Sequence, residues 1–360
     1  MKILLLSCST GGGHNSCAHY IEDELKNQNI ECAFYDFFDI VNGKAKDLSS
    51  KVYLKTLGNN GKMFSGFYKI GEMYSKTKIK SPVYLINSLH KKKLFDFINE
   101  NNYDLVITTH LFPALALTAI NKDKNFNKIN FIFVATDYEP CPFMEETKPD
   151  YFVMQKGLEE RFVEKGIDKD KLLNFGIPVS SNFINNAKNI RQDYNINNEK
   201  VILIMLGSMG FGNVEESINL LLKENIKVII VCGSNKALYE KLKEKNNNNL
   251  IVLGFVNNIN DLIYSSDLVL SKPGGLSSTE IASIRKPLIH VFPIPGIETY
   301  NATFFENYGM SKKCENNDEL LKQINELLIQ ENADKLIECQ KKLINNHSAK
   351  DLINFIKKTY

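Results

Sequence analysis

No apolar run in this sequence approaches the roughly 20 residues that a membrane-spanning helix requires, so any contact with a bilayer is expected to be peripheral. A secretion signal is missing too. Met1-Lys2-Ile3-Leu4-Leu5-Leu6 is too short an apolar run, and glycines and His14 stand where a cleavage region belongs, so it reads as a first strand. Excess charge is also absent: the net value is +2, which lends no support to a general nucleic-acid role. The 7 cysteines (Cys8, Cys17, Cys32, Cys141, Cys232, Cys314, Cys339) are odd in number and lack metal-ligand spacing. That usage fits a reducing cytosol and excludes a disulfide framework. What remains is an ordinary globular composition, 43% hydrophobic and 24% charged, over 360 residues, a length suited to two domains.

Two alternations of strand and helix patterns fill that length. In the first, strands are expected at residues 2–7, 30–38, 105–108, 129–134, 151–153 and 172–175, with helices at 15–27, 112–120 and 157–165. Residues 178–199 turn polar and asparagine-rich, as an interdomain linker would. The second alternation has strands at 201–206, 227–231, 250–253, 268–271 and 287–291, followed by a helical tail from Asp318 onward. The fold class is therefore α/β, two doubly wound Rossmann-like domains facing a cleft, with sites at the carboxyl ends of strands.

The stretch LVLSKPGGLSSTEIASIRKPLIHVFPIPGIETYN (268–301) concentrates the chemistry. A strand feeds the tight turn Pro273-Gly274-Gly275, then a helix at 277–284 with Ser277 and Glu280 spaced as a capping box. A helix N-terminus offers amide N–H groups and about half a positive charge, which makes a phosphate seat. Lys272 adds a full charge, Glu280 suits a ribose diol, and Glu298 and Asn301 are placed to read sugar hydroxyls. An ordinary strand–turn–helix fits the same local pattern.

A second glycine loop, Ser9-Thr10-Gly11-Gly12-Gly13-His14, follows the first strand. Ser16 falls where a dinucleotide fingerprint needs its third glycine, and no G-K-[ST] follows for a P-loop. Asp36 after the second strand keeps a dehydrogenase formally open. Residues 51–93 hold ten lysines (Lys51, Lys55, Lys62, Lys69, Lys76, Lys78, Lys80, Lys91, Lys92, Lys93) against the single acid Glu72, interleaved with aromatics. This composition suits an anionic membrane surface, or nucleic acid, or simply a solvated face over a core.

The long stretch resembles the donor-binding segment of glycosyltransferase family 28. That family holds the monogalactosyldiacylglycerol synthases, the processive diacylglycerol glucosyltransferases and, more distantly, the lipid-linked N-acetylglucosaminyltransferase of peptidoglycan synthesis. Its pattern K-P-G-G, T-E, P-x-P-G-Q-E-x-x-N is met by Lys272-Pro273-Gly274-Gly275, Thr279-Glu280 and Pro293-Ile294-Pro295-Gly296-Ile297-Glu298-Thr299-Tyr300-Asn301, with Ile297 in place of glutamine. Thr10-Gly11-Gly12-Gly13-His14, Thr136-Asp137-Tyr138 and Thr109-His110 resemble further motifs of the family, the last with Leu111 where proline is usual.

The resemblance implies a GT-B fold and transfer, with inversion, of glucose or galactose from UDP-glucose or UDP-galactose to diacylglycerol or a glycolipid. No cofactor is expected, and no metal, because no acidic pair stands near the phosphate loop. It implies His14 or Asp137 as the base, with Gly12, Gly13 and His110 on the acceptor side. On the donor side it implies Gly207, Ser208, Gly210, Phe255, Lys272, Pro273, Gly274, Gly275, Leu276, Glu280, Glu298 and Asn301. An acceptor-binding, membrane-facing domain is expected at 1–180, a nucleotide-sugar domain at 195–345, and a C-terminal helix at 346–360 packing back on the first. No nucleic-acid partner follows, and the place is the cytoplasm, on the inner face of the cell membrane. An arginine common after the family's G-I-P-I segment is missing beyond Gly176-Ile177-Pro178-Val179, where Ser180 and Ser181 stand. A UDP-sugar epimerase, or a nucleotide-sugar-binding protein without turnover, are the alternatives.

Overall fold

The computed structural model describes residues 1–9, 12–42, 80–206, 214–224, 226–314 and 316–360. They gather into two compact units. The first comprises Met1–Ser181, Ile294–Ile297 and His347–Tyr360; the second comprises Asn182–Pro293 and Glu298–Asn346.

The first unit runs β1 (Lys2–Ser7), α1 (Gly12–Asn27), β2 (Glu31–Asp36), α2 (Phe37–Asn42), α3 (Pro82–Ser88), α4 (Lys91–Glu100), β3 (Leu105–Thr108), α5 (Leu111–Lys122), β4 (Phe131–Val134), β5 (Tyr151–Val153), α6 (Glu159–Glu164) and β6 (Leu172–Leu173). Its six strands are all parallel, in the order β2-β1-β3-β4-β5-β6. Central strands of such a sheet are covered on both faces and read as unbroken apolar runs. Ile3, Leu4, Leu5 and Leu6 are accordingly all fully buried.

After α7 (Ser181–Asn185) the second unit runs β7 (Val201–Met205), α8 (Val214–Leu221), β8 (Lys227–Val231), α9 (Lys236–Lys243), β9 (Leu250–Leu253), α10 (Ile259–Ser265), β10 (Leu268–Ser271), α11 (Gly275–Ser283), β11 (Leu288–His290), α12 (Ile297–Asn307), β12 (Lys312–Lys313), α13 (Asn317–Leu327) and α14 (Gln330–Leu343). Its sheet is also parallel, ordered β12-β11-β10-β7-β8-β9, the order typical of dinucleotide-binding folds. Ile202, Ile204, Val228, Ile230, Leu268 and Leu270 supply the strand side of its core. The strand order reverses between β1 and β3 in one sheet and between β7 and β10 in the other, and ligands of such sheets bind beyond the carboxyl ends at that reversal.

Helix starts differ from the sequence expectation at both glycine turns. Helix α1 begins at Gly12 rather than residue 15, so Gly12, Gly13 and His14 form its first turn. Helix α11 begins at Gly275 rather than 277, with Gly274 as its N-cap in extended conformation. The expected capping box does not form, because Ser277 already lies inside the first turn. The polar 178–199 segment is not all coil: it contains α7 and a short 3₁₀ turn, Gln192–Tyr194. Among the described residues, no helix is long and apolar enough to cross a membrane.

The last helix, α15 (Ser348–Thr359), belongs to the first unit, where it packs on α1. Ser348 Oγ donates to Ile177 O at 3.0 Å and accepts from Val179 N at 3.3 Å. Ala349, Leu352, Ile353 and Ile356 form the helix's buried face, and the Phe355 ring meets the Tyr151 ring edge-on at 4.8 Å. Leu352→Ala is therefore expected to destabilise the first unit by about 2–5 kcal/mol, read as a lower urea midpoint for that unit's transition.

Candidate functional site

In the first unit three strand ends converge on His14. From the first turn of α1, its Nδ1 lies 2.9 Å from Thr109 O, after β3, and 2.8 Å from Thr136 Oγ1, after β4. A carbonyl oxygen only accepts, so in the neutral ring the proton sits on Nδ1 and Nε2 keeps its lone pair. Thr109 Oγ1 returns a bond to His14 O at 3.0 Å, clamping the turn from both sides. The ring thus braces two neighbouring strand ends instead of capping its own helix. Burial holds the imidazole below its ordinary 6.5, against the opposing pull of the Asp137 carboxylate.

His110 plays a different part. It is the N-cap of α5, and its Nδ1 accepts from Phe112 N at 3.2 Å, which places its own proton on Nε2. Its ring stands edge-on to that of His14, 4.8 Å between centroids, and burial followed by the His14 charge keeps it well below the usual histidine range. The two histidines therefore have opposite tautomers, one offering a lone pair and the other a proton.

These groups line a cavity of about 330 Å³. His14, Thr109, His110, Thr136, Asp137 and Glu139 are polar; Val83, Leu111, Phe112, Phe133, Ala135, Pro142, Phe143, Met144 and Ile297 make the rest of its wall apolar, with Cys141 among them. Glu139 is engaged by the Arg161 fork at 2.8 and 3.1 Å. Burial pushes the Cys141 thiol up to about 12, so it stays protonated and inert. Phe143 sits at φ 69°, a left-handed conformation that costs an aromatic residue strain and is typical of functional walls. Asp36, the acid that kept a dehydrogenase open, is used structurally: its carboxylate accepts from Ser9 N and Phe38 N, both at 2.8 Å.

Beside the cavity, α3 exposes Leu85 (54%), Ile86 (59%) and Leu89 just after it (80%). Most of the 51–93 stretch lies outside the described residues. Of its described lysines, Lys91 pairs with Asp123 at 2.6 Å, Lys92 with Asp96 at 2.9 Å, and Lys93 donates to Val41 O at 2.9 Å. Lys80 lies 4.6 Å from the Tyr84 ring centre. Among the described residues here, the exposed apolar side chains of α3 stand out.

In the second unit the turn after β10 is held by its neighbours. Lys272 N donates to Met205 O at 3.2 Å, and Asn301 Nδ2 donates to Pro273 O at 2.9 Å. Asn301 is fully buried, so it positions the turn. The first helical bond runs from Ser278 N to Gly274 O, leaving the amides of Gly275, Leu276 and Ser277 ahead of it, as in any helix start. A Cβ built on Gly274 would meet nothing within 4 Å, so a ligand can approach the backbone there.

Lys272 Nζ lies 3.2 Å from Glu298 Oε1, so two residues expected to act separately form one ion pair. Glu280, on α11, is buried. Behind the helix, His290 bridges Ser278 Oγ (2.9 Å) and Ser311 Oγ (3.0 Å), and burial lowers its pKa to about 3. It carried no expectation from sequence, and a histidine in an apolar strand gives no signal for such a brace. Phe255, two residues past β9, is 74% exposed. Gly207, Ser208 and Gly210 lie outside the described residues.

The monogalactosyldiacylglycerol (MGDG) synthase family model matches residues 14–179, and the glycosyltransferase family 28 C-terminal domain matches residues 201–356. A processive diacylglycerol beta-glucosyltransferase of Bacillus pumilus (strain SAFR-032) is 30% identical over 370 residues, covering 99% of this chain and 94% of that relative. The chain belongs to glycosyltransferase family 28.

Solved glycosyltransferases share the fold of this family 28 member. The glycosyltransferase of kitacinnamycin superposes with a TM-score of 0.67 at 13% identity, covering 99% of this chain and 98% of that one. MurG of Acinetobacter baumannii superposes with a TM-score of 0.64 at 12% identity, covering 99% of both. Each sheet, with its helices, is thus one Rossmann-like domain of a GT-B glycosyltransferase. In this family 28 chain the Ile297 substitution adds an apolar side chain to the wall of the His14 cavity.

The opposed influences on His14 give a direct test. By histidine NMR, its imidazole is expected to titrate below 6.5, and Asp137→Asn, which removes the raising charge, to lower it further. A value unchanged or raised by the substitution contradicts the arrangement.

Proposed function

We propose that this protein transfers a hexose, glucose or galactose, from a UDP-sugar to diacylglycerol or a glycolipid at a membrane surface. The observation that carries the reading is His14: a proton-accepting Nε2, fixed by two strand ends, on a cavity whose remaining wall is largely apolar. An alcohol attached to acyl chains suits both features. The Bacillus pumilus relative's name, processive diacylglycerol beta-glucosyltransferase, supports that choice of acceptor.

In the proposed step Nε2 takes the acceptor's hydroxyl proton as that oxygen attacks the anomeric carbon. The bond to the UDP oxygen breaks on the opposite face, so the configuration inverts. Asp137 steadies the imidazolium that forms, consistent with its raising influence on the ring. His110 stays neutral and its ring packs edge-on to that of His14. In the second unit, amides at the start of α11 receive the leaving diphosphate, where preorganised donors lower the barrier. Lys272 adds charge as a pair with Glu298, whose second oxygen can accept from a sugar hydroxyl.

The ridge of Leu85, Ile86 and Leu89 is the proposed membrane contact. Fully burying each such side chain contributes about 1.5–3 kcal/mol, enough for reversible attachment.

Labelled UDP-glucose or UDP-galactose, incubated with diacylglycerol vesicles, should yield lipid-soluble label. Sugar interconversion without lipid would instead mark an epimerase, and binding without turnover a sensor. His14→Ala should lower transfer about 10²–10⁴-fold while leaving UDP affinity intact. Gly274→Ala, which places a methyl in open space, should keep the fold yet weaken UDP binding by about tenfold or more. Leu85→Ser with Leu89→Ser should reduce vesicle co-sedimentation while turnover of a short-chain, soluble acceptor persists; undiminished sedimentation would remove this ridge from the proposal.

A further inference from the structure

The second unit carries another cavity, of about 400 Å³, at the opposite edge of its sheet from the Gly274 turn. Lys200 immediately precedes β7, Asp267 precedes β10, and Lys286 and Pro287 precede β11, so three neighbouring strands present their amino ends to it. Helix α11 joins the two edges: its first turn lies at the Gly274 side, and Ile284 and Arg285 beyond its last turn line this cavity.

Four cations, Arg191, Lys200, Arg285 and Lys286, face a single carboxylate, Asp267, leaving a net charge of +3 (4 − 1) on the walls. Asp267 is already committed. Its Oδ2 accepts from Arg191 Nη2 at 2.7 Å and from Val201 N at 2.8 Å, and Oδ1 lies 3.6 Å from Lys200 Nζ. The other bonds of these cations go to uncharged oxygens. Arg191 Nε donates to Ser265 O and Nη1 to Glu199 O, Arg285 to Ala282 O, Ile344 O and Asn346 Oδ1, and Lys286 Nζ to Ser266 O, all within 2.7–3.4 Å.

Such bonds fix the cations on the wall without neutralising them. Burial lowers the pKa of Lys286, with the Asp267 carboxylate pulling it up and the Arg191 charge pushing it down; burial lowers that of Arg285 against the raising charge of Glu338. Like charges crowd a half-dry recess, and a multivalent anion is what relieves that crowding. An ammonium has three donors, so Lys286 and the half-exposed Lys200 can bind an anion while keeping their present contacts.

We propose that this cavity binds a phosphate dianion, as free phosphate or phosphate monoester or as the phosphate of a lipid headgroup, with Lys200 and Lys286 as direct ligands. It is separate from the donor turn and does not depend on the proposed transfer reaction.

The test is calorimetric titration of the full chain with inorganic phosphate and with glycerol phosphate, plus sedimentation with phosphatidylcholine vesicles containing or lacking phosphatidic acid. All are run in saturating UDP and at constant ionic strength. Phosphate or glycerol phosphate is expected to bind, and Lys200→Gln to weaken it about tenfold. Lys286→Gln should act in the same direction, and the exposed control Lys236→Gln should leave it unchanged. Binding confined to phosphatidic acid vesicles, and lost in Lys200→Gln, supports the site and assigns the source to a headgroup. No binding of any probe at millimolar phosphate, or binding indifferent to both Lys200→Gln and Lys286→Gln, overturns the proposal. Failure of UDP to bind would count against the donor turn alone, since the lysine comparison reads this cavity in either case.

Discussion

Parallel strand pairing imposes the plan of this molecule. When every strand of a sheet runs the same way, all carboxyl ends meet one edge, and the reversal of strand order parts two neighbouring connections there. In the first sheet that point lies between β1 and β3, and the connections leaving those strands supply His14, Thr109 and His110. In the second it lies between β7 and β10, where Lys272 and the amides that open α11 stand. These side chains and amides are thus held by buried apolar strands, and small backbone hydrogen bonds suffice to aim them.

Electrostatics at both places works by pairing. His14 is pulled one way by burial and the other by the Asp137 carboxylate. Lys272 and Glu298 form the second pair, nearly closed from solvent. Taking one charge away from such a pair strands the other, so the two residues are constrained to change together.

Strand positions were legible because a buried parallel strand is an uninterrupted apolar run: residues 105–108, 151–153, 227–231, 250–253 and 268–271 stand where the pattern placed them. The two-residue edge strand β12 was not, since Lys312 and Lys313 have no pattern to detect. Helix starts were misread at Gly12 and Gly275 because glycine signals a turn, yet here it opens the helix, where the absent Cβ leaves the backbone approachable. The motifs carried His14, Asp137, His110 and the Gly274 turn. The tautomers did not follow from them, because these depend on Thr109 O and Phe112 N, backbone atoms that motif matching does not see. Nor did the brace at His290 or the bond between Asn301 and Pro273, each made across the fold.

Helix α15 has a bearing on how the molecule is made. Its residues follow the whole second unit in the sequence, yet they complete the unit whose strands precede it. Until Ser348 arrives, Ile177 O and Val179 N lack its hydroxyl, and the part of α1 on which the helix packs stays wet. The first unit is therefore finished only after the whole second unit has been synthesised, so an interrupted chain would hold His14 on an unfinished scaffold.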